Sequence, residues 1–400
     1  MSIHSHAYLV AGLRSPIGSF GGALKPMRAT EYATIVAHEL LSRHGVKPQS
    51  IDQVIGGMVL QDMTESNPAR IVSQRIDIPD SVPAYTVNMQ CCSGMLAFMQ
   101  GVEQVALGAS DVVLAIGMES MSNAPHMVPG SRWGHRLSDG VFVDTLKECT
   151  YAGSKMWGKP QYMTQVAEHH AEVDQVSREE MDEYTVVTHS RALDAIDNGR
   201  LKDEIVAIEV SGRKGGTKRF EQDENPRRDI SVESLSKLNP VSPGGPITAG
   251  NAASINDGAA AALICNEAGL KKLGLDPLAR IPLNGLAKAG CDPTLMGYSC
   301  VEAMTNVLKN TDMRVDDLDL IECNEGFAVQ LLACERAGGW SRDRLNVDGG
   351  SVGLGHPVGM SGMRIVIHLA NALHQRDLKI GAATVPAGSG LGTAVIVERV

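Results

Sequence analysis

Ala84-Tyr-Thr-Val-Asn-Met-Gln-Cys-Cys-Ser-Gly-Met-Leu-Ala-Phe-Met-Gln-Gly-Val-Glu-Gln-Val-Ala-Leu-Gly108 reads as a strand, a turn carrying two cysteines, and a helix. Met95, Met99, Val102 and Ala106 recur at helical spacing, and Gly108 stands where a helix closes. Upstream, Ser50-Ile-Asp-Gln-Val-Ile-Gly-Gly-Met58 predicts a strand running into a glycine turn. Downstream, Asp111-Val-Val-Leu-Ala-Ile-Gly117 predicts another strand that stops at glycine. Strands alternating with helices in this way build an α/β fold.

The same order returns in the second half. Val315-Asp-Asp-Leu-Asp-Leu-Ile-Glu-Cys-Asn324 parallels the segment from Ser50, and a strand before Gly349-Gly350 parallels the one before Cys91. Met360, Met363, Ile367 and Ala370 mark the matching helix, and Leu378-Lys-Ile-Gly-Ala-Ala-Thr-Val385 matches the strand at residue 111. An offset of roughly 260 residues is too long for a solenoid and fits a duplicated domain. Two similar halves would then face each other and deliver their strand ends to a shared cleft. The expected division is 1–121 plus 247–272, an inserted segment 122–246, and 273–400. The insert gathers Trp133 and Trp157, a capping box at Ser177 and Glu180, and the basic stretch Arg213-Lys-Gly-Gly-Thr-Lys-Arg219. That stretch reads either as a solvated turn or as a site for a phosphate-bearing ligand.

Composition narrows the function. The 400 residues are 43% hydrophobic and 20% charged, which excludes wholesale disorder and suits two or three domains. Lys plus Arg number 36 against 46 Asp plus Glu, a net charge of −10 that argues against nucleic acid as a partner. Eight cysteines lack paired spacing, so reduced thiols are expected rather than disulfides or a metal site. No run is long and apolar enough to span a bilayer and no leader is evident, so a cytoplasmic protein is expected.

The chemistry concentrates at the strand ends. Cys91 precedes an amphipathic helix, where amides and the macrodipole favour thiolate, so a lowered thiol pKa is expected. Its neighbour Cys92 reads as packing or capping. His356, within Gly353-Leu-Gly-His-Pro-Val-Gly-Met-Ser-Gly362, holds the comparable place in the second half, so the two would face each other. A Cys–His pair activates a thiol for acyl transfer. Asn324-Glu-Gly-Phe327 would orient a water or carbonyl. Gly388-Ser-Gly-Leu-Gly392 has too little chain after it to be a dinucleotide fingerprint and reads as an oxyanion cradle.

With these residues in view, the chain resembles the thiolase family along nearly its full length. The matching segments are Arg14-Ser-Pro-Ile-Gly-Ser-Phe-Gly-Gly22, Val87-Asn-Met-Gln-Cys-Cys-Ser-Gly94 and Gly117-Met-Glu-Ser-Met-Ser122. Thr248-Ala-Gly-Asn251, Ile255-Asn-Asp-Gly-Ala-Ala-Ala261, Cys323-Asn-Glu-Gly-Phe-Ala328 and Gly355-His-Pro-Val-Gly-Met-Ser-Gly362 complete the series. The resemblance implies a duplicated, five-layered αβαβα fold with an inserted loop domain, assembled as a homodimer or homotetramer. It implies a Cys91 acyl-thioester, His356 as its activator, and Asn324 with His356 as one oxyanion hole. The amides of Cys91 and Gly388 would form the second hole. Arg227, Ser234, Ser254, Met163 and Phe327 would line the path of coenzyme A and acyl-CoA, which are substrates; no tightly bound cofactor or metal is expected.

One departure stands out. The family carries a second catalytic cysteine, in a Cys-x-Gly segment, that shuttles the α-proton of acetyl-CoA; Thr384-Val-Pro-Ala-Gly-Ser-Gly390 places Pro386 there. A sister branch supplies it from the asparagine motif, where this chain has Gly326. Asn251-Ala-Ala-Ser254 and Met296-Gly-Tyr-Ser-Cys300 also depart from the family pattern. Cys300, Cys92 and Cys323 are the candidate substitutes. The leading expectation is thiolytic cleavage or Claisen condensation of a 3-oxoacyl-CoA, in fatty-acid or ketone metabolism. The alternatives are acyl transfer or decarboxylative condensation with a Cys–His–Asn set alone, and a non-catalytic acyl-CoA-binding subunit.

Overall fold

The structure is a computed structural model that describes residues 4–151, 162–211 and 216–400. In the first half, β1 (His6–Arg14), β2 (Gln53–Gly57), β3 (Ala84–Val87), β4 (Val112–Ser120) and β5 (Asn256–Cys265) form a sheet in the order β3-β2-β4-β5-β1. The first three run parallel, and β4, β5 and β1 alternate antiparallel. Every residue of β4 and β5 is buried, as expected of aliphatic strands covered on both faces. Helices α1 (Ala29–Arg43) and α2 (Pro68–Arg75) pack on one side, and α3 (Ser93–Ala106) packs on the other.

Between the halves lie α4 (Met163–Val173) and α5 (Arg178–Asp197), the latter started by the Ser177–Glu180 capping box. The second half adds β6 (Ala279–Pro282), β7 (Leu286–Gly290), β8 (Leu320–Cys323), β9 (Ile380–Ala387) and β10 (Leu391–Arg399). Their order is β8-β9-β10-β7, and β6 pairs with both β1 and β10, so the two sheets are continuous. Helices α6 (Tyr298–Thr311) and α7 (Ala328–Gly338) cover the outside, and α8 (Ser361–Gln375) lies inside against α3. The layers are therefore helix, sheet, paired helices, sheet, helix.

The central helices touch through matching glycines. A Cβ on Gly94 would lie 2.6 Å from the Gly359 carbonyl, and one on Gly362 would lie 2.6 Å from the Met95 amide. Hydrogen at these positions is what lets both helix N-termini meet between the sheets. Ionic groups pin the same region. Arg14, buried on β1, binds Glu204 at 2.6 Å and Asp223 at 2.8 Å, and His368 of α8 lies 3.1 Å from Glu204 and 3.3 Å from Asp348.

Two details differ from the sequence reading. The strand expected before Gly349 is a single bridge, Leu345 to Ile321. Asn346 takes a left-handed φ of 48°, and its side chain bonds both the amide (2.8 Å) and the carbonyl (2.9 Å) of Cys323, replacing the ladder. The helices also begin at Ser93 and Ser361, so the register partner of Cys91 is Gly359 and not His356. Of the basic stretch, Lys218 and Arg219 are exposed and Arg219 pairs with Glu221 at 2.7 Å; Arg213 to Gly215, like Trp157, lie outside the described residues.

Candidate active site

A cavity of about 370 Å³ opens where the two central helices begin, and Cys91, Asn324, His356, Pro386 and Gly388 all line it. Its wall is largely apolar, with Met121, Met163, Met296 and Phe327 contributing side chains.

Cys91 is delivered by a tight turn. Gln90 holds a left-handed φ of 50°, and Ser93 closes the turn by accepting the Met89 amide at 2.9 Å and donating to the Gln90 carbonyl at 2.6 Å. The expected lowering of the thiol pKa is not what the structure gives. Burial raises Cys91 to about 11, although backbone hydrogen bonds from Gly388 and from Cys91 itself pull the other way. Desolvation of a thiolate outweighs the helix-terminus effect at this depth. Those two amides sit at the Cys91 sulfur. Gln90 Nε2 donates to Ser389 Oγ at 3.1 Å, joining the two loops that carry the amides.

His356 faces the same cavity from a loop fixed on several sides. Its amide donates to Asn256 Oδ1 at 2.8 Å. With Ser361 Oγ donating to the Pro357 carbonyl at 2.9 Å, its 2.7 Å contact with His356 Nδ1 is satisfied by a ring proton on Nδ1. Nε2 is left with its lone pair. Burial, together with the nearby Arg364 guanidinium, lowers His356 to about 4, so the resting imidazole is neutral. Thiol and imidazole, which line the same cavity, are therefore both uncharged at rest.

Asn324 is buried at the end of β8. Its Oδ1 accepts from Ser351 Oγ at 2.8 Å, while its Nδ2 has no partner among the described residues. A buried donor left open at a cavity wall suits an oxygen of a water or substrate. Behind it, Glu325 anchors the loop by accepting from Tyr184, Thr188, Asn346 and the Val352 amide. Glu119 does the same across the halves, accepting the amides of Val59, Leu60 and Gly359, each at 3.0 Å. Burial holds its carboxyl up at about 7.

The expected ligand-path residues divide between two neighbouring cavities. Met163 and Phe327 line the first. Arg227 and Ser234 line a second of about 350 Å³, together with His189 and Asn225. Ser254 borders both, its Oγ 2.6 Å from Asn225 Oδ1 and from Asn256 Oδ1.

The three candidate substitutes for the missing cysteine do not reach the cavity. Cys92 is buried with its thiol on the Val385 carbonyl at 3.2 Å, consistent with packing. Cys300 and Cys323 are buried 3.8 Å apart, with Cys334 3.4 Å from Cys300. Cys149 does line the cavity, and sequence reasoning missed it. Ser361, Ser351 and Gln90 were missed as well; only the serine one turn after His356 had a readable signal, its i to i+5 spacing into a helix start.

Comparison with known proteins gives consistent matches. The family profile described as "Thiolase, N-terminal domain" matches residues 7–268, and "Thiolase, C-terminal domain" matches residues 275–399. Acetyl-CoA acetyltransferase of Allochromatium vinosum is 40% identical over 99% of this chain and 100% of its own length. The crystal structure of the Bacillus anthracis acetyl-CoA acetyltransferase superposes with a TM-score of 0.95 at 40% identity, covering 100% of both chains. Human mitochondrial 3-ketoacyl-CoA thiolase in complex with CoA superposes at 0.94 and 38% identity, covering 100% of this chain and 99% of that one.

Proposed function

The chain belongs to the thiolase family of CoA-dependent acyltransferases, and on that premise we propose that Cys91 carries the acyl group as a thioester. His356 Nε2 takes the Cys91 proton as sulfur attacks the acyl carbonyl of a 3-oxoacyl-CoA or acyl-CoA. The resulting oxyanion lies against the Cys91 and Gly388 amides in one half-reaction. In the other it lies against Nε2 of His356 and an oxygen held by Asn324 Nδ2. Neutral partners suit this order of events, because charge then develops only in the transition state, where the amides meet it.

Coenzyme A and acyl-CoA would enter through the second cavity. Arg227 supplies positive charge for phosphate there, Ser234 and Ser254 supply hydroxyls, and Met163 and Phe327 flank the thioester end. The names of the relatives favour acyl-CoA transfer over decarboxylative condensation or a non-catalytic role. The reading extends to a cytoplasmic homodimer or homotetramer of fatty-acid or ketone metabolism, with the loop domain 122–246 set between halves 1–121 plus 247–272 and 273–400. Among the described residues, no helix is long and apolar enough to cross a membrane, and no cluster of His, Cys, Asp or Glu could hold a metal ion.

The observation that carries the proposal is the convergence of Cys91, His356 and Asn324 on one cavity, with the Gly388 and Cys91 amides at the Cys91 sulfur. Intact-protein mass after mixing with acetyl-CoA tests it. An acyl adduct on the wild type that is absent from Cys91→Ala is expected; no adduct on the wild type across an acyl-CoA series would overturn it.

A further inference from the structure

Breaking the C2–C3 bond in thiolysis of a 3-oxoacyl-CoA leaves a carbanion at C2, and a group beside the cleft must deliver a proton to it. Pro386 lines the cavity and has no group to offer. Of the eight free cysteines, Cys91 and Cys149 border this cavity, whereas Cys92, Cys265, Cys300, Cys323 and Cys334 are buried elsewhere and Cys291 is half-buried outside its lining. Cys149 ends the short helix Thr145–Cys149, which Asp144 starts by accepting the Leu146 amide at 2.9 Å. It packs against the cluster of Leu60, Met121 and Leu146, as does Val358, two residues past His356, and its thiol donates to the Leu146 carbonyl at 3.1 Å. A thiol held on one carbonyl is freed by rotation about a single bond. In the same cavity, the buried and unpartnered Asn324 Nδ2 independently marks where a ligand oxygen belongs.

We propose that Cys149, reaching the cleft from the segment between the two halves, is the acid/base that moves the α-proton of the acetyl-CoA unit in place of a residue at position 386. This rests on the Cys91 acyl-enzyme reading. In thiolysis, Cys91 sulfur bonds C3 and its proton passes to His356. The tetrahedral adduct collapses, C2–C3 breaks, and the bonding pair stays on C2 as the acetyl-CoA enolate. The Cys149 thiol delivers its proton to C2, and acetyl-CoA leaves. The His356 imidazolium then returns its proton to the Cys149 thiolate, so both groups are reset. Coenzyme A next attacks the acyl-thioester, His356 passes the coenzyme A thiol proton to the departing Cys91 sulfur, and acyl-CoA is released. No further reactant is required. Burial raises the Cys149 thiol to about 12, which keeps it protonated at rest and ready to act first as the acid.

The scheme separates the two half-reactions. Wild type, Cys149→Ala and Cys149→Ser would be mixed with acetyl-CoA in deuterium oxide. Acylation of Cys91 is read by intact mass, and deuterium entering C2 of acetyl-CoA by nuclear magnetic resonance. Both Cys149 variants should acylate at rates within about threefold of wild type yet lose about 10²–10⁴-fold in α-proton exchange and in 3-oxoacyl-CoA thiolysis. Adding Pro386→Cys to Cys149→Ala should recover exchange, which a merely structural role for Cys149 would not allow. Exchange undiminished in either variant, or a wild type that acylates without exchanging, would overturn the proposal. A wild type that never acylates would instead fail the Cys91 reading beneath it.

Discussion

The turn that carries Cys91 and the turn that carries His356 occupy matching strand-to-helix junctions, yet they are built differently. The first goes from β3 to α3 in five residues, with one left-handed position at Gln90. The second has lost its strand to the Asn346 side chain and inserts a further helical turn, Ser351–Leu354, before the loop that leads to α8. What the two retain is the helix start. Ser93, Gly94 and Met95 correspond to Ser361, Gly362 and Met363, and each serine folds back on the turn before it. A nucleophile needs only a short strained turn beside amides. The base proposed at His356 needs a ring held in one orientation, and the longer second turn supplies the space and, in Ser361, the partner that holds it.

Breaking the comparison at its centre should have the largest effect. Cys91→Ala should lose about 10⁴-fold or more in thiolysis, measured at saturating coenzyme A, with no acyl adduct by mass. His356→Ala should lose about 10²–10⁴-fold, since a general base is removed while the oxyanion amides remain. Ser361→Ala tests the lock alone. It frees Nδ1 to lose its proton, so kcat should fall about tenfold with KM nearly unchanged, and Ser361→Thr should restore most of it.

The shared helix start can be probed through stability. Gly94→Ala and Gly362→Ala each force a Cβ to 2.6 Å from backbone, so each should cost about 1–3 kcal/mol in denaturant unfolding, with similar values if the pseudo-symmetry is energetic as well as geometric. The pH dependence of alkylation sharpens the comparison with least disturbance. Because the folded thiol lies at about 11, above its usual 9, the thiolate fraction should grow about tenfold per pH unit through neutrality. The iodoacetamide rate at Cys91 should therefore rise without a plateau between pH 6 and about 10; a plateau near neutrality would show a thiolate–imidazolium pair instead.

Stability should respond to pH through His368. Its folded value, raised to about 10 by Glu204 and Asp348, lies above the unfolded 6.5, so its contribution is full below 6.5 and lost as pH climbs toward 10. Thermal unfolding across that range should show the decline, and His368→Gln should flatten it.

Much of this was legible in the chain. Cys91, Asn324, His356 and Gly388 each sit where an apolar run stops at a glycine or a turn, and such stops recur in the same order in both halves. Periodicity therefore located the strand ends, and the resemblance named their roles. The strand before Gly349 was misread because Asn346 satisfies backbone groups with its side chain, which leaves no period to detect. The direction of the Cys91 shift was misread because helix position is local and visible, whereas burial is set by chain from elsewhere.

The sequence by itself determined the duplicated α/β architecture, the family, and the residues at the strand ends, since these depend on short-range pattern and motif. Only the tertiary structure decided that burial keeps the Cys91 thiol and the His356 imidazole uncharged, that Ser361 holds the His356 ring, and which further cysteine faces the cleft. Those depend on desolvation and on hydrogen-bond partners brought together across long separations, and Cys149 lines the cavity from a short helix far along the chain from Cys91.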